Sequence, residues 1–508
     1  MACLRHMLAL AGVLAGVFAG ARGGEGSLDR TGKQWAPFIE WSLPTPSFEG
    51  NPHDLPATAT FVHPESGEKR TTGMFFAGEK TWKFRFTATR PGVWTFTTAS
   101  DDADLAGRSG TVRIAPNPGV PGFITHFGSK WGRTGTNRAF VPQLCMYLSP
   151  DRFHNKPARI DRDIRTFLVE HGFNGFHTYV CCRWFDIGEM SSAKIPSKDP
   201  NPDPRTFEAL ELLITKVHAA GGVVHIWAWG DEARHWTPAR WGKNGKADKR
   251  LQRTIAARLG PLPGWTMGYG FDNFEWVTEQ DLRNWHAHMH EHLGWHHYLG
   301  ARAHKNQLTQ IWDGLDYSSY EQHRPDYRKY VETFDKRPGK PSFSEDRFRV
   351  RQAKGYAYKD YTEAMTRRGL WHSTMAGGVA NIWGRLDGQS STLGSKPYGH
   401  PHWVKTWAVF FRNRFLKEMV RDNAITDGAC LKTPDGARCV FYREDATSIQ
   451  MDLSAMGGPQ GAVAVDTLRR YAEIALGELD PQKTVWKAPY KSDWAIAVGD
   501  FTSKEATR

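Results

Sequence analysis

From about residue 138 the sequence alternates between short apolar segments and amphipathic helical segments. Eight strand candidates follow one another: AFVPQLCMYL, NGFHTYV, GGVVHIWAW, GWTMGYG, HHYLGARAH, LDYSSYEQH, KPSFSE and GGVANIW. Helical patterns such as RTFEALELLITKVHAAG separate most of them, and several of these end on glycine, which helix C-caps prefer. Eight repeats of strand and helix predict a (β/α)8 barrel, the TIM-barrel fold, over residues 125–417.

Both flanks of the predicted barrel have β patterns. Short alternating segments separated by turn residues fill residues 31–118 and predict an N-terminal β-sandwich. The β pattern returns over residues 418–508, in segments such as ARCVFYRE and TSIQMDLS. The predicted fold class is therefore multidomain α/β, with a central (β/α)8 barrel flanked by N-terminal and C-terminal antiparallel β-sandwich domains.

Residues 1–21 have the pattern of a cleavable signal peptide. Arg5 and His6 precede an apolar run from Met7 to Phe18, and Ala19-Gly20-Ala21 is a small-residue cleavage site. The apolar run is shorter than a membrane-spanning helix. We therefore predict an exported protein, secreted or periplasmic, with no membrane partner.

Composition narrows the range of partners. The chain has 21 tryptophans, a formal net charge of +12 and a pI of about 9.3. Indole rings bind sugar faces as well as pack cores, so the tryptophan content is compatible with a carbohydrate protein or with an aromatic core. A basic chain suits nucleic acid or an acidic polymer, but it has no dense Lys/Arg run and no nucleic-acid motif. The sequence predicts no nucleic-acid partner and a carbohydrate substrate, for which an acidic polysaccharide is one candidate.

Catalytic groups in a (β/α)8 barrel lie at the C-terminal ends of the strands. In this sequence those positions hold His177, Trp229, Asp231, Asp272, Arg302, His304, Glu321, His323, Glu345 and Trp383. Cleavage of a glycosidic bond needs two carboxyl groups that flank the bond. Asp272 ends the fourth strand and Glu345 ends the seventh, on opposite sides of the barrel mouth, so we predict that they form this pair.

The domain order and two motifs resemble the apiosidase-like branch of clan A glycoside hydrolases over nearly the whole mature chain. The motifs are GYGFD after the fourth strand and KPSFSED at the seventh, and TRRGLWHSTMAGGVANIWG is similar to the segment through the eighth strand. The resemblance implies that Asp272 is the acid/base and Glu345 the nucleophile of a retaining double displacement. Phe271-Asp272 stands where most clan members have Asn-Glu. Retention implies a carboxyl separation of ~5–5.5 Å.

The other strand-end residues are predicted substrate contacts, each with a structural alternative. Trp229 and Trp383 could stack on sugar or pack the core. Asp231 could bind hydroxyl groups or pair with nearby arginines. His177, Glu321 and the three cationic residues Arg302, His304 and His323 could contact substrate, and the cationic three could instead brace a catalytic carboxylate.

Glu275 follows Asp272 by three residues. It is a further candidate for substrate contact, but its position just before a predicted helix is more typical of a residue that holds the loop in place. Asp346 directly follows Glu345 and is predicted to pair with Arg347 or Arg349.

The histidine-rich run WHAHMHEHLGWHH raises the question of a metal site. His286 and His290, and also His288 and His292, have the i,i+4 spacing that can chelate a metal on a helix. The run lacks the His-Glu-x-x-His order and lies on an outer helix away from the strand ends. The sequence therefore predicts neither a metal nor an organic cofactor.

The predicted function is a secreted glycoside hydrolase that cleaves a polysaccharide or oligosaccharide by a retaining two-carboxylate mechanism. Two alternatives stay open at this stage. One is a non-catalytic carbohydrate-binding protein on a barrel scaffold. The other is a polysaccharide lyase with a tyrosine or histidine base.

Overall fold

The computed structural model describes residues 27–230, 242–302, 311–349, 362–384 and 398–502. Within these ranges an N-terminal β-domain, a barrel of eight parallel strands with surrounding helices, and a C-terminal β-domain follow one another, which confirms the predicted fold class. The predicted signal peptide, Asp231 and His304 lie outside the described residues.

Eight strands form the N-terminal domain: β1 (Arg30–Lys33), β2 (Ile39–Pro44), β3 (Ala57–His63), β4 (Glu68–Gly73), β5 (Phe75–Phe76), β6 (Thr81–Phe86), β7 (Gly92–Ser100) and β8 (Ser109–Ala115). They make a five-stranded sheet in the order β1-β8-β7-β3-β4 and a three-stranded sheet in the order β2-β6-β5. Every second residue of β7 is buried, so that Trp94 and Phe96 pack with Trp41 and Phe84 of the other sheet. The period-2 burial follows from the alternation that the sequence shows.

The barrel strands come next, after a small antiparallel sheet. The small sheet comprises β9 (Ile124–Phe127), β10 (Lys130–Arg133) and β11 (Arg138–Ala139). The barrel strands are β12 (Gln143–Met146), β13 (Gly175–Tyr179), β14 (Val223–Trp229), β15 (Trp265–Gly270), β16 (Tyr298–Gly300), β17 (Ser318–Tyr320), β18 (Ser342–Phe348) and β19 (Ala380–Trp383). All eight coincide with the strand candidates of the sequence. Their hydrogen-bonded order is β16-β15-β14-β13-β12-β19-β18-β17.

Helices cover the outside of this sheet. They are α1 (Pro150–Phe153), α2 (Pro157–Ile164), α3 (Pro204–Ala219), α4 (Lys246–Leu259), α5 (Glu279–His292), α6 (Tyr327–Lys336), α7 (Glu363–Met375) and α8 (Pro401–Phe411), with a π-helical turn at Arg165–His171. Capping side chains explain where several begin. Thr278 and Asp281 form a capping box at α5, and Asp203 accepts the Arg205 N–H at the start of α3. None of the described helices combines the length and apolar character that crossing a bilayer requires.

The barrel is completed at a seam between β16 and β17, which are the two edges of the hydrogen-bonded sheet. Asp316, two residues before β17, joins them. Its N–H donates to the Leu299 carbonyl at 3.0 Å, and its carboxylate accepts the Leu299 N–H at 2.8 Å. A side-chain oxygen therefore takes the place of a backbone acceptor at this seam.

The N-terminal end of the barrel is filled by β10. Its residue Trp131 is buried against Tyr298 and Tyr317 and donates its indole N–H to the Ser342 carbonyl at 3.0 Å. Tyr298 and Ser342 are the first residues of their strands, so Trp131 lies at the base of the barrel, opposite the mouth.

The C-terminal domain contains β20 (Val420–Arg421), β21 (Ala429–Lys432), β22 (Cys439–Asp452), β23 (Gln460–Asp466), β24 (Ile474–Leu479) and β25 (Lys483–Val498). These strands form one antiparallel sheet in the order β20-β21-β22-β25-β23-β24, with bulges where β22 pairs with β25. Arg367 and Arg368 of α7 bind Asp493 at 2.5 and 2.9 Å, which attaches this domain to the barrel.

Candidate active site

Glu345 lies inside the barrel, one layer below the rim, with a carboxylate that is completely buried. One oxygen accepts hydrogen bonds from His225 Nε2 at 3.0 Å and from Trp227 Nε1 at 2.7 Å. The other accepts the Ser319 hydroxyl at 2.5 Å. Because a carboxylate only accepts, His225 carries its proton on Nε2. Donors from β14 and β17 thus hold the Glu345 carboxylate in one orientation.

Gly268 of β15 provides the space that Glu345 occupies. A Cβ at position 268 would lie 1.9 Å from Glu345 Oε1, well inside van der Waals contact. Tyr317 is buried beside the same carboxylate, and burial together with the Glu345 charge raises the pKa of its hydroxyl well above the ordinary value. The interior of the barrel is therefore shaped around Glu345.

Asp272 follows β15 in a left-handed backbone conformation, with a φ of 52°. This conformation is uncommon outside glycine, and aspartate is among the residues that tolerate it. The next residue, Asn273, is buried and donates its side-chain amide to the Gly270 carbonyl at 2.9 Å, which supports the turn. Asp272 keeps a quarter of its side chain exposed and accepts a hydrogen bond from Arg302.

Arg302 links the ends of several strands at the mouth. The guanidinium is buried, with 3% of the side chain exposed, and it contacts three carboxylates. These are Asp272, Asp346 at 2.8 Å and Glu321 at 3.4 Å. Burial lowers the pKa of Arg302, but the surrounding carboxylates, Glu345 among them, outweigh it and raise the pKa above its ordinary value. We call Arg302 and its three partners the Arg302 network.

His323 extends this network on the side of β17. Its Nε2 donates to Glu321 at 2.9 Å. Glu321, His323 and Asp346 present ligand atoms within 4.8 Å of one another and by residue type could hold a metal. Arg302 pairs with both of these carboxylates, however, and a cation in contact with two ligands disfavours a second cation. Ion pairing is the better description of this group.

Glu275 and Asp272 have different positions. Asp272 joins the Arg302 network, whereas Glu275 ends the short turn Asn273–Glu275 with an exposed side chain. Arg302 therefore holds Asp272 at the mouth, and the catalytic role of Asp272 stays a prediction. Substrate contact by Glu275 stays a prediction.

Burial argues against three of the predicted sugar contacts. Trp383 is completely buried, donates its indole N–H to Gln143 at 2.8 Å, and packs on Phe348. Trp229 is 2% exposed and lies against Phe185. These two indoles take the packing role that the sequence left open, because protein atoms already cover their faces.

His177 is the third of these residues. It is buried between His225 and Trp227, with ring centroids 5.2 and 4.4 Å away. Burial, then His225 and Arg347, hold its pKa well below the ordinary value, so the ring is neutral. In this position it packs against two of the residues that hold Glu345.

Four residues around Glu345, namely His225, Trp227, Ser319 and Gly268, were not predicted from the sequence, and neither was the pairing of Asp346 with Arg302. Arg302 follows a different strand, β16, and the predicted pairing of Asp346 with Arg347 or Arg349 stays a prediction. The period of two in HIWAW places His225 and Trp227 on one face of β14, and that alternation was the available signal. Nothing in the local sequence indicates that Ser319 and Gly268 face the same carboxylate.

Residues 231–241, 303–310, 350–361 and 385–397, which follow β14, β16, β18 and β19, lie outside the described residues. These connections leave the C-terminal ends of their strands, where substrate specificity of a barrel enzyme is decided.

Comparison with known proteins agrees with this architecture. Residues 31–101 match the family model of a domain of unknown function, DUF5060. Curated protein sequences gave no match. A Bacteroides vulgatus crystal structure, described as that of a candidate glycoside hydrolase, covers 93% of this chain and 99% of its own, with a TM-score of 0.72 and 16% identity.

Two further structures match a smaller share of this chain. One, described as a glycoside hydrolase, covers 75% of this chain and 97% of its own, with a TM-score of 0.56 and 13% identity. The other, described as a Bacteroides vulgatus glycoside hydrolase of family 5, covers 77% of this chain and 96% of its own, with a TM-score of 0.57 and 13% identity. At these identities the likeness establishes the fold alone.

Proposed function

We propose that this protein is a secreted glycoside hydrolase that cleaves a polysaccharide or oligosaccharide with retention of configuration. The observation that carries the proposal is the Arg302 network. One buried arginine binds carboxylates from the fourth, sixth and seventh strands, and the charge of the buried Glu345 also acts on it. Similarity of the fold to proteins described as glycoside hydrolases supports it, as does the resemblance of GYGFD and KPSFSED to the apiosidase-like branch.

In this proposal Glu345 is the nucleophile. A carboxylate oxygen attacks the anomeric carbon and forms a glycosyl ester while the bond to the leaving oxygen breaks. His225, Trp227 and Ser319 hold the carboxylate in one orientation, so that it loses little orientational freedom when it reacts. Because Glu345 is completely buried, the reacting sugar has to reach the layer of Trp227.

Asp272 is the proposed acid/base. It protonates the leaving oxygen in the first step and then takes a proton from the water that attacks the anomeric carbon, releasing Glu345. In the structure Asp272 is bound by Arg302, so proton donation requires that contact to open. Arg302 keeps Glu321 and Asp346 as partners when it does.

An anionic or sulfated glycan is the proposed substrate class. The chain is basic, with a net charge of +12, and would attract an acidic polymer. Arg347 adds a cation near the site, where its guanidinium lies 5.2 Å from the ring centroids of both Trp227 and Phe271. The signal-peptide pattern at residues 1–21 is the basis for proposing export.

Product analysis with matched variants tests this function. We expect reducing ends to appear from members of a panel of anionic and neutral glycans, with anionic members cleaved faster and the difference reduced by salt. Glu345→Gln and Asp272→Asn should each lower kcat/KM by at least ~10²-fold. Glu279→Gln, at an exposed position of α5 outside the mouth, is the control and should retain activity.

The outcomes discriminate between the alternatives. Proton NMR of the first-formed product should show retained configuration. A product absorbing as an unsaturated uronate would identify a lyase. Binding of glycans without turnover by the unmodified protein, or full activity of Glu345→Gln, would contradict the proposed mechanism.

A further inference from the structure

A cluster of two histidines and one aspartate lies on the outer side of the seam between β16 and β17. His286 and His290 come from α5, and Asp316 comes from the segment that leads into β17. His286 Nε2 lies 3.1 Å from Asp316 Oδ1, and His290 Nε2 lies 2.9 Å from Oδ2. All three side chains are partly exposed, between 12% and 24%, so an ion could reach them from solvent.

The fold positions these groups independently of each other. The i,i+4 spacing places both imidazoles on one face of α5. The Asp316 carboxylate is oriented from the other side, because it also accepts the Leu299 N–H at 2.8 Å. An outer hydrogen bond of this kind is typical of carboxylates that ligate metals, since it fixes the orientation of the ligand.

The distances suit a small transition-metal ion. The three ligand atoms lie within 4.8 Å of one another. In a tetrahedral zinc site with bonds of about 2.0–2.1 Å, neighbouring ligand atoms are about 3.3 Å apart. The two separations between Nε2 and the carboxylate, 3.1 and 2.9 Å, need to widen by only a few tenths of an ångström. Each imidazole ligates through Nε2 when it carries its proton on Nδ1. Two imidazoles with one carboxylate favour zinc-type ions over calcium or magnesium, which prefer oxygen ligands.

We propose that His286, His290 and Asp316 form a binding site for Zn²⁺ or a similar divalent transition-metal ion. The ion would tie α5 to the seam where Asp316 joins β16 and β17. Arg302 follows β16 by two residues, so the same ion would stabilise the strand that leads to the Arg302 network. The proposal does not depend on the glycoside hydrolase activity.

The local charges are compatible with a cation. Asp316 is the one acidic residue of the cluster and faces both imidazoles. Lys340 is a nearby cation, and its ammonium group is bound to the backbone carbonyls of Asp313 and Leu315. His296 is a neighbouring imidazole, with its ring 5.3 Å from that of His290.

The same helix contains a natural control. His288 and His292 have the same i,i+4 spacing, with ring centroids 4.5 Å apart. Their surroundings differ, because burial, His292 and the cations Arg253 and Lys249 lower the pKa of His288 to about 4. Among the described residues this second pair is in no metal-type cluster. The two pairs therefore differ in the carboxylate and not in the spacing.

Zinc titration of the tag-free mature chain tests the proposal. After dialysis against a chelator, calorimetry with ZnCl₂ should show one equivalent bound, and Co²⁺ should give the visible absorption of a tetrahedral site. The double substitution His286→Gln/His290→Gln should weaken zinc binding by at least ~10²-fold. His288→Gln/His292→Gln should leave the affinity unchanged, and zinc should raise Tm in the unmodified protein and in this control only.

Two other results would contradict the proposed zinc site. Absence of zinc binding by the unmodified chain would mean that the cluster is only a hydrogen-bonded brace. An equal loss of zinc affinity in His286→Gln/His290→Gln and in His288→Gln/His292→Gln would mean that zinc binds at another site. Asp316→Asn replaces one carboxylate oxygen with an NH2 donor and so changes the seam and the cluster together. The histidine variants retain the bond from the Leu299 N–H and decide the question.

Discussion

Two buried arginines lie at opposite ends of the barrel, and their surroundings differ. Arg302 at the mouth contacts three carboxylates. Arg133 of β10, at the base, donates to the Gly222 carbonyl at 3.1 Å and lies over the ring of Phe140 at 5.6 Å. Within the ranges that the structure describes, no carboxylate pairs with Arg133. Burial lowers the pKa of Arg133 to about 9, whereas the carboxylates raise that of Arg302.

The difference indicates a division of roles between the two ends. The base is packed by aromatic side chains around Trp131, and Trp131 and Arg133 each donate to a backbone carbonyl. The mouth holds a dense set of charges that compensate one another. Burying charges costs free energy unless they are paired, so such a set is expected where it serves binding or catalysis. Substitutions at the base should therefore change stability, and those at the mouth should change activity as well.

Replacement of each arginine by methionine is the most direct test of this comparison. Arg302→Met leaves three buried or partly buried carboxylates without their cation and should cost about 3–5 kcal/mol of unfolding free energy, together with activity. Arg133→Met removes a buried cation that has no carboxylate partner and should change stability by about 1 kcal/mol or less. Chemical denaturation measures both. Equal losses of unfolding free energy in Arg302→Met and Arg133→Met would contradict the distinction between mouth and base.

Trp131→Ala should destabilise the barrel without altering its chemistry. The indole fills the base, and its loss leaves a cavity that should cost about 3–5 kcal/mol. Specific activity per folded molecule, measured at a temperature where the variant is still folded, should be retained. A large fall in kcat of folded protein would show that the base and the mouth are coupled.

Gly268→Ala should lower activity, in contrast to Trp131→Ala, which should lower stability. The new Cβ would displace Glu345, and a misplacement of about 1 Å at a reacting group costs activity on the order of 10²-fold. Gly461→Ala in β23 is the control, because nothing lies within 4 Å of its new Cβ. Full activity of Gly268→Ala would argue against Glu345 as the nucleophile.

His218 at the base should give a smaller, pH-dependent effect. Burial and then Arg133 lower its pKa to about 3, so the folded protein does not bind the proton that the unfolded chain binds below its ordinary pKa. Stability should therefore fall on acidification, by about 2 kcal/mol between pH 6.5 and pH 5. His218→Gln should lack this component, which is measured as the difference between the two unfolding free energies at each pH. If the unfolding free energies of the unmodified protein and of His218→Gln changed with pH in parallel, His218 would not be the source of the effect.

Much of the fold was predictable because it depends on local periodicity. The eight barrel strands, from Gln143–Met146 to Ala380–Trp383, coincide with apolar segments of the sequence. The position of Asp272 at the end of the fourth strand followed from the same pattern. Strand ends in a parallel barrel meet at one rim, so strand order placed Asp272 there. Glu345 was predicted to end the seventh strand, but β18 continues to Phe348 and Glu345 lies inside the barrel.

The contacts across the barrel could not be predicted in this way. Arg302 is bound by residues 30 and 44 positions away along the chain, and Glu345 by residues 118 and 120 positions away. Such pairings depend on the radius of the barrel and on which side chain each strand turns inward. The role of Asp316 is a further example, because it binds histidines that the sequence places in another element.

The sequence by itself determined the order of the elements, since hydrophobic period and turn residues act over a few positions. Only the tertiary structure decided which polar groups meet. It buried Trp229 and Trp383, gave Asp346 to Arg302, and surrounded Glu345 with donors from two other strands. The physical reason is that a buried charge is stable only beside its partners, and closing the barrel is what brings partners from distant strands together.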